Sequence, residues 1–235
     1  MDGRPVVTVA LHGVAQDDDL GVQAFARHLE SRLDDGVPGR SIVAGMRAFL
    51  EAKPHLAPPP PWTPAPPPVT GYRAVTALAV AAGLSGAQIA TARRASRLDL
   101  AGSAWVLDPA DGLPELLDLL ARQADPILVA DPDDPATGPV LDALELAGRL
   151  PIRTAPELAA DLSGDLAGRP VLLIDADWPP APVAAGGPVA GVSTALIDRF
   201  GSGTGEADMR AADLPDLLPD VAGWLHRTAR GEGAP

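Results

Sequence analysis

The chain of 235 residues has no cysteine, one lysine, few aromatic side chains and no long apolar run, and each scarcity removes a class of function. Without cysteine there is no thiol nucleophile, disulfide, iron–sulfur cluster or cysteine zinc site, and a reducing compartment is compatible. Lys53 is the single lysine; every other basic residue is arginine, and the formal net charge is −13. So acidic a surface repels nucleic acid and anionic membranes unless a basic patch is segregated, so nucleic acid is disfavoured as a partner. Aromatics make up 3% of the residues against 46% that are hydrophobic, so the core must be built from Ala, Val, Leu and Ile on closely packed elements. The longest apolar stretch, Ala74 to Leu84, is shorter than the roughly 18 residues of a bilayer span, and MDGRPVV lacks a basic region followed by an apolar core. The expectation is a cytoplasmic protein with no membrane partner.

What is present has the rhythm of an α/β protein. Val6 to Leu11 is a continuous apolar run, the kind buried on both faces of a parallel sheet. Asp17, Asp18 and Asp19 offer N-capping for a helix through Leu20, Phe25 and Leu29 that Gly36 would end, and a second helix is expected from Ser41 to Ala52. In PPPPWTPAPPP, Pro58 to Pro68, eight of eleven residues are proline, which excludes helix and central strand and predicts a polyproline spacer of about 34 Å. This stretch could dock a P-x-x-P reader through Trp62; a rigid surface connector is the simpler reading. Two helices follow, Tyr72 to Ala82 and Ser85 to Leu98, with Ser85 as N-cap. Helices at Gly112 to Arg122, Ala136 to Leu150 and Glu157 to Leu166 then alternate with strands at Pro126 to Ala130, Pro151 to Thr154, Pro170 to Ile174 and Ala190 to Ile197. A final helix spans Leu214 to Thr228. Alternation of this kind predicts a doubly wound parallel sheet, and no internal repeat is evident.

Several motifs fall short of a chemistry. AVAAGLSGAQIATARRASR resembles a DNA-reading helix-turn-helix with Arg93, Arg94 and Arg97, yet an ordinary helical hairpin explains it as well. His12, His28, His55 and His226 lack metal-ligand spacing. GVSTA supplies half of a nucleophile elbow around Ser193, and Ser202 has none. GSGTGEAD, Gly201 to Asp208, lacks the Gly-Lys-Ser/Thr ending of a phosphate loop. Asp131, Asp133 and Asp134 in DPDDP lack the spacing of a calcium loop and, between prolines, predict a turn.

In an open α/β sheet the functional crevice lies beyond the carboxyl ends of the strands. The residues there are Ala10, His12 and Gly13 after the first strand, Asp131 to Asp134 after the second, and Asp175 and Asp177 after PVLLI. Together these segments resemble the haloacid dehalogenase-like superfamily. ALHGVA stands where that family reads D-L-D-G-T-L; PADGLPELLDLLARQADPILVAD resembles its loop, helix and strand leading to Ser-Asn; VLLIDAD resembles its acidic motif and STALIDRFG its closing strand. The resemblance implies an α/β core of residues 1–13 and 105–235. It implies an inserted helical cap of residues 14–104 that carries the proline-rich segment 54–68.

The same resemblance implies an aspartate nucleophile, an aspartate acid/base and a magnesium ion held by both. Here those two positions are Ala10 and His12, the Ser/Thr position is Ala130, and no lysine follows Lys53, with Arg149 or Arg153 as substitutes. The leading expectation is therefore a pseudo-hydrolase: a catalytically inactive member that binds a small ligand or a protein partner, including a second copy of itself as a homodimer. His12, Asp131, Asp175 and Asp177 are the expected ligand-binding residues, for a small or cationic ligand, with no catalytic residue, metal or cofactor. One alternative is a divergent magnesium-dependent phosphatase or hydrolase in which Asp175 and Asp177 recruit the metal. A second is a DNA-binding module built on the 72–98 hairpin.

Overall fold

The structure is a computed structural model and describes residues 3–33, 41–51, 70–187, 191–201 and 206–232. The proline-rich run, Gly36, His55 and Ser202 lie outside the described residues. Six strands form one parallel sheet in the order β3-β2-β1-β4-β5-β6: β1 (Val6–Ala10), β2 (Asp125–Val129), β3 (Ile152–Arg153), β4 (Val171–Asp175), β5 (Val192–Ile197) and β6 (Met209–Ala211). The sequence VVTVA makes β1 and VLLID makes β4; both are buried along their whole length because helices cover both faces of the sheet. Side chains alternate between the faces. Val7, Val9, Leu172 and Ile174 join a cluster with Leu116 and Leu120 of α5 (Leu113–Gln123) and Leu217 and Val221 of α9 (Leu214–Ala229), while Val6, Val171 and Leu173 meet Leu158 and Leu162 of α7 (Ala155–Ser163). This is the doubly wound parallel sheet that the alternating pattern predicts.

Between β1 and β2 the chain makes four helices: α1 (Asp19–Glu30), α2 (Ile42–Glu51), α3 (Gly71–Ala81) and α4 (Gly86–Ser103). They form a second apolar cluster from Val22, Phe25, Leu29, Met46, Tyr72, Val75 and Ala92. Gly21 lets α1 and α3 approach, since a Cβ there would stand 2.2 Å from the Tyr72 hydroxyl. Ser85 caps α4 as expected, in a capping box with Gln88. No described helix is long and apolar enough to cross a membrane.

Some boundaries differ from the sequence reading. Helix α1 ends at Glu30, well before Gly36, and α4 continues to Ser103. Helix α6 (Thr137–Ala143) stops far short of Leu150 because Glu145 and Gly148 take left-handed backbone (φ 55° and 71°), and Leu144 and Leu146 bury themselves from the turn instead. Neither α8 (Ala181–Ala184) nor the edge strand β6 has a pattern long enough to be read from sequence.

The strand order places β1 and β4 side by side at the centre, with the chain leaving them toward opposite sides. Their carboxyl ends open the crevice at this switch point. Gly13, at φ 78°, brings the exit of β1 against that of β4: a Cβ there would stand 2.6 Å from the Cβ of Ala176. The crevice is therefore narrow at its floor, and the helical insert stands over it.

Candidate functional site

A cavity of about 550 Å³ lies where the insert meets the strand ends, with His12, Asp175 and Asp177 from the sheet in its wall. These three residues, singled out from sequence, are thus together. Asp131 is apart: it is exposed, its Oδ1 accepts the Asp133 N–H (3.0 Å), and it closes the DPDDP turn. The carboxylate that this turn sends into the cavity is Asp134.

The cavity's centre is a network that the sequence did not reveal. Arg97 enters from α4, buried to within 5% of full enclosure, and its Nε donates to Asp134 Oδ2 (2.7 Å). Its Nη1 reaches the Tyr72 hydroxyl (3.4 Å) and its Nη2 the Nε2 of His12. A guanidinium only donates, so His12 Nε2 must accept and Nδ1 carries the ring proton. The Gln16 side-chain amide lies 2.8 Å from Nδ1. Burial first, and the Arg97 charge second, lower the His12 pKa to about 3, so the imidazole is neutral.

Asp18 shares this pocket. Its side chain makes no capping bond to α1, contrary to the expectation from sequence, and instead lies 3.2 Å from the Gln16 amide and 3.7 Å from His12 Nδ1. Burial raises its pKa to about 7 against the opposing pull of Arg97, helped by Asp17 and Asp177. Asp175 is raised to about 6, again by burial first, although the N–H groups of Asp177 (3.0 Å) and Ala181 (2.8 Å) donate to its two oxygens and lower it. That carboxylate orders the turn after β4. Asp177 is half-exposed and pairs across the crevice with Arg73 of α3 (Nε to Oδ1, 2.9 Å).

The last residue of β1 is Ala10, paired in the sheet with Val129 and nearly buried. A methyl group offers neither a lone pair nor an acidic proton. Magnesium, which the family resemblance implies, takes six oxygen donors in near-octahedral array. The residues here do not fit it: Ala10 has no oxygen, His12 faces a guanidinium, and both Asp175 oxygens hold backbone N–H groups. Among the described residues no group of three His, Asp or Glu is placed to hold a metal ion. Arg149 and Arg153 do not supply the missing lysine, because neither lines the cavity and Arg153 pairs with Asp161 (3.0 Å). Ser193 is no nucleophile either: it is buried in β5, where its hydroxyl accepts from Trp224 Nε1 (3.0 Å).

No protein-family model and no curated protein sequence matches the chain. Solved structures do. A haloacid dehalogenase-like hydrolase of Streptococcus pneumoniae is 16% identical with a TM-score of 0.57, covering 93% of this chain and 98% of that one. The chain has the haloacid dehalogenase-like fold. A phosphoglycolate phosphatase homologue of Lactobacillus plantarum (TM-score 0.59, 13% identity, 92% and 99% coverage) agrees. So does a magnesium-bound hydrolase of this superfamily from Bacillus subtilis (0.55, 13%, 94% and 99%). The haloacid dehalogenase-like fold thus spans both the sheet and the helical insert. What the family resemblance did not signal is Arg97. Its one trace in the sequence is an arginine on the same helical face as Ala92, Ser96 and Leu100, which are all buried.

Proposed function

We propose that this chain is a pseudo-hydrolase of the haloacid dehalogenase-like fold, catalytically inactive, with the helical insert serving as a cap over a non-covalent ligand site. The observation that carries this reading is the pairing of Ala10 at the end of β1 with the buried Arg97 beside His12. Covalent catalysis needs a nucleophile with an available electron pair at the reacting atom, and general-base catalysis needs a group that can take a proton near neutral pH. Ala10 offers no electron pair. His12, with a pKa of about 3 and its Nε2 bound to Arg97, is a weak base. A fixed guanidinium also supplies positive charge at the strand ends without a metal.

The test is turnover. Purified protein with magnesium and a broad panel of phosphate esters and 2-haloacids is expected to show no rate above the buffer blank. Magnesium-dependent turnover that disappears in the Asp175→Asn, Asp177→Asn double variant would support the divergent-hydrolase alternative and overturn this one.

A further inference from the structure

The charges around the cavity are of both signs, which the sequence reading, built on His12 and three aspartates, did not anticipate. The loops at the strand ends supply Asp18, Asp134, Asp175 and Asp177, and the helices of the insert supply Arg73, Arg93 and Arg97. Most of this charge is already matched. Arg97 is bound to Asp134, the Asp134 Oδ1 accepts the Ala136 N–H (2.9 Å), and Asp175 holds two backbone N–H groups.

Two groups retain capacity. Arg93 lies with its guanidinium 5.1 Å from the Tyr72 ring centroid and meets no carboxylate among the described residues. Its planar donor fork is available to an anion. Asp177 holds Oδ1 at ion-pair distance from Arg73 Nε (2.9 Å) without an aligned hydrogen bond, and neither of its oxygens accepts a hydrogen bond among the described residues. An open donor fork on one wall thus shares the cavity with an open acceptor on the other.

From this pairing we infer that the cavity binds a small zwitterion of the α-amino acid class, its carboxylate on Arg93 and its ammonium on Asp177. This deepens the proposed non-covalent function and rests on it. Arg73 and Arg97 are already paired, so a doubly negative phosphate would find one open donor fork among four aspartates, and a simple cation would find one open acceptor among three arginines. A zwitterion places each charge beside the open group of opposite sign. The cavity volume lies within the range of small-molecule sites.

The experiment is a thermal-shift screen of the standard L-amino acids at millimolar concentration, followed by calorimetric titration of the best one. Its amide, lacking the negative end, and its des-amino acid, lacking the positive end, are titrated beside it. Charge-assisted hydrogen bonds contribute enough that each neutral-end analogue is expected to bind about tenfold more weakly or worse. Arg93→Gln is expected to remove the preference over the amide, and Asp177→Asn the preference over the des-amino acid. If no amino acid binds, or if the des-amino acid binds as tightly as its parent, the zwitterion site is overturned. That result leaves catalytic inactivity standing, since turnover is measured separately.

Discussion

Arg97→Ala is expected to lower the unfolding free energy at pH 7 by about 3–5 kcal/mol, the effect typical of removing one member of a buried, hydrogen-bonded ion pair. The reason lies in what it leaves behind. Asp134 would lose its charge partner (2.7 Å), and His12 Nε2 and the Tyr72 hydroxyl would lose donors in the partly buried wall of the cavity. Arg97 also joins α4 to the turn after β2, so its loss removes one tie between insert and sheet and leaves the Arg73–Asp177 pair and the packing of Leu100. Arg97→Lys should fall between the two, because an ammonium keeps the charge and loses the planar fork. Urea denaturation of the three proteins checks this. A loss under about 1 kcal/mol would mean that Arg97 behaves as an exposed cation.

The second large effect depends on pH and belongs to Asp18. Its pKa is about 7 in the folded chain and near the ordinary carboxyl value of 3.8 once unfolded. Between those values the folded chain holds a proton that the unfolded chain has released, so stability falls as pH rises through this window and levels off above it. Asp18→Asn removes the titration. Its stabilisation over the parent should therefore be larger at pH 8 than at pH 4.5, by on the order of 3 kcal/mol. His12 runs the other way: with a folded pKa of about 3 against 6.5, it contributes stability above pH 6.5 that is lost as pH falls toward 3. Asp175, raised to about 6, has the sign of Asp18. Between pH 4.5 and 6 the two raised carboxyls outweigh His12, so the parent should gain stability on acidification, whereas in the Asn variant Asp175 and His12 nearly cancel. Urea titrations of both proteins at the two pH values measure this, and an equal difference at each would place the Asp18 pKa near the ordinary carboxyl range.

How much of this was legible beforehand follows from the range of the forces involved. VVTVA and VLLID read as central strands because burial on both faces demands unbroken apolar runs, and that is a local signature. The edge strand Met209–Ala211 needs only one neighbour and three residues, too few to carry a period. At the site, His12, Asp175 and Asp177 are legible because topology alone puts strand-end residues at the crevice. Asp131 and Asp134 differ by three positions in one turn, and which carboxylate points inward depends on the hydrogen bonds of DPDDP rather than on strand position. Read locally, Arg97 is part of a basic helix face and Asp18 an N-cap. Their burial arises from contacts 37 and 85 residues apart in the chain for Arg97. Such long-range encounters leave little trace in spacing.

The proposal of catalytic inactivity is tested most directly by intact-mass spectrometry of the purified chain, acid-quenched after incubation with magnesium and acetyl phosphate, a reagent that phosphorylates activated carboxylates. The expected result is the unmodified mass at every time point. An acid-stable, base-labile phosphoryl adduct on Asp18, Asp134, Asp175 or Asp177 would show that another carboxylate acts where Ala10 cannot, and would contradict the reading of this fold as a non-covalent binding site.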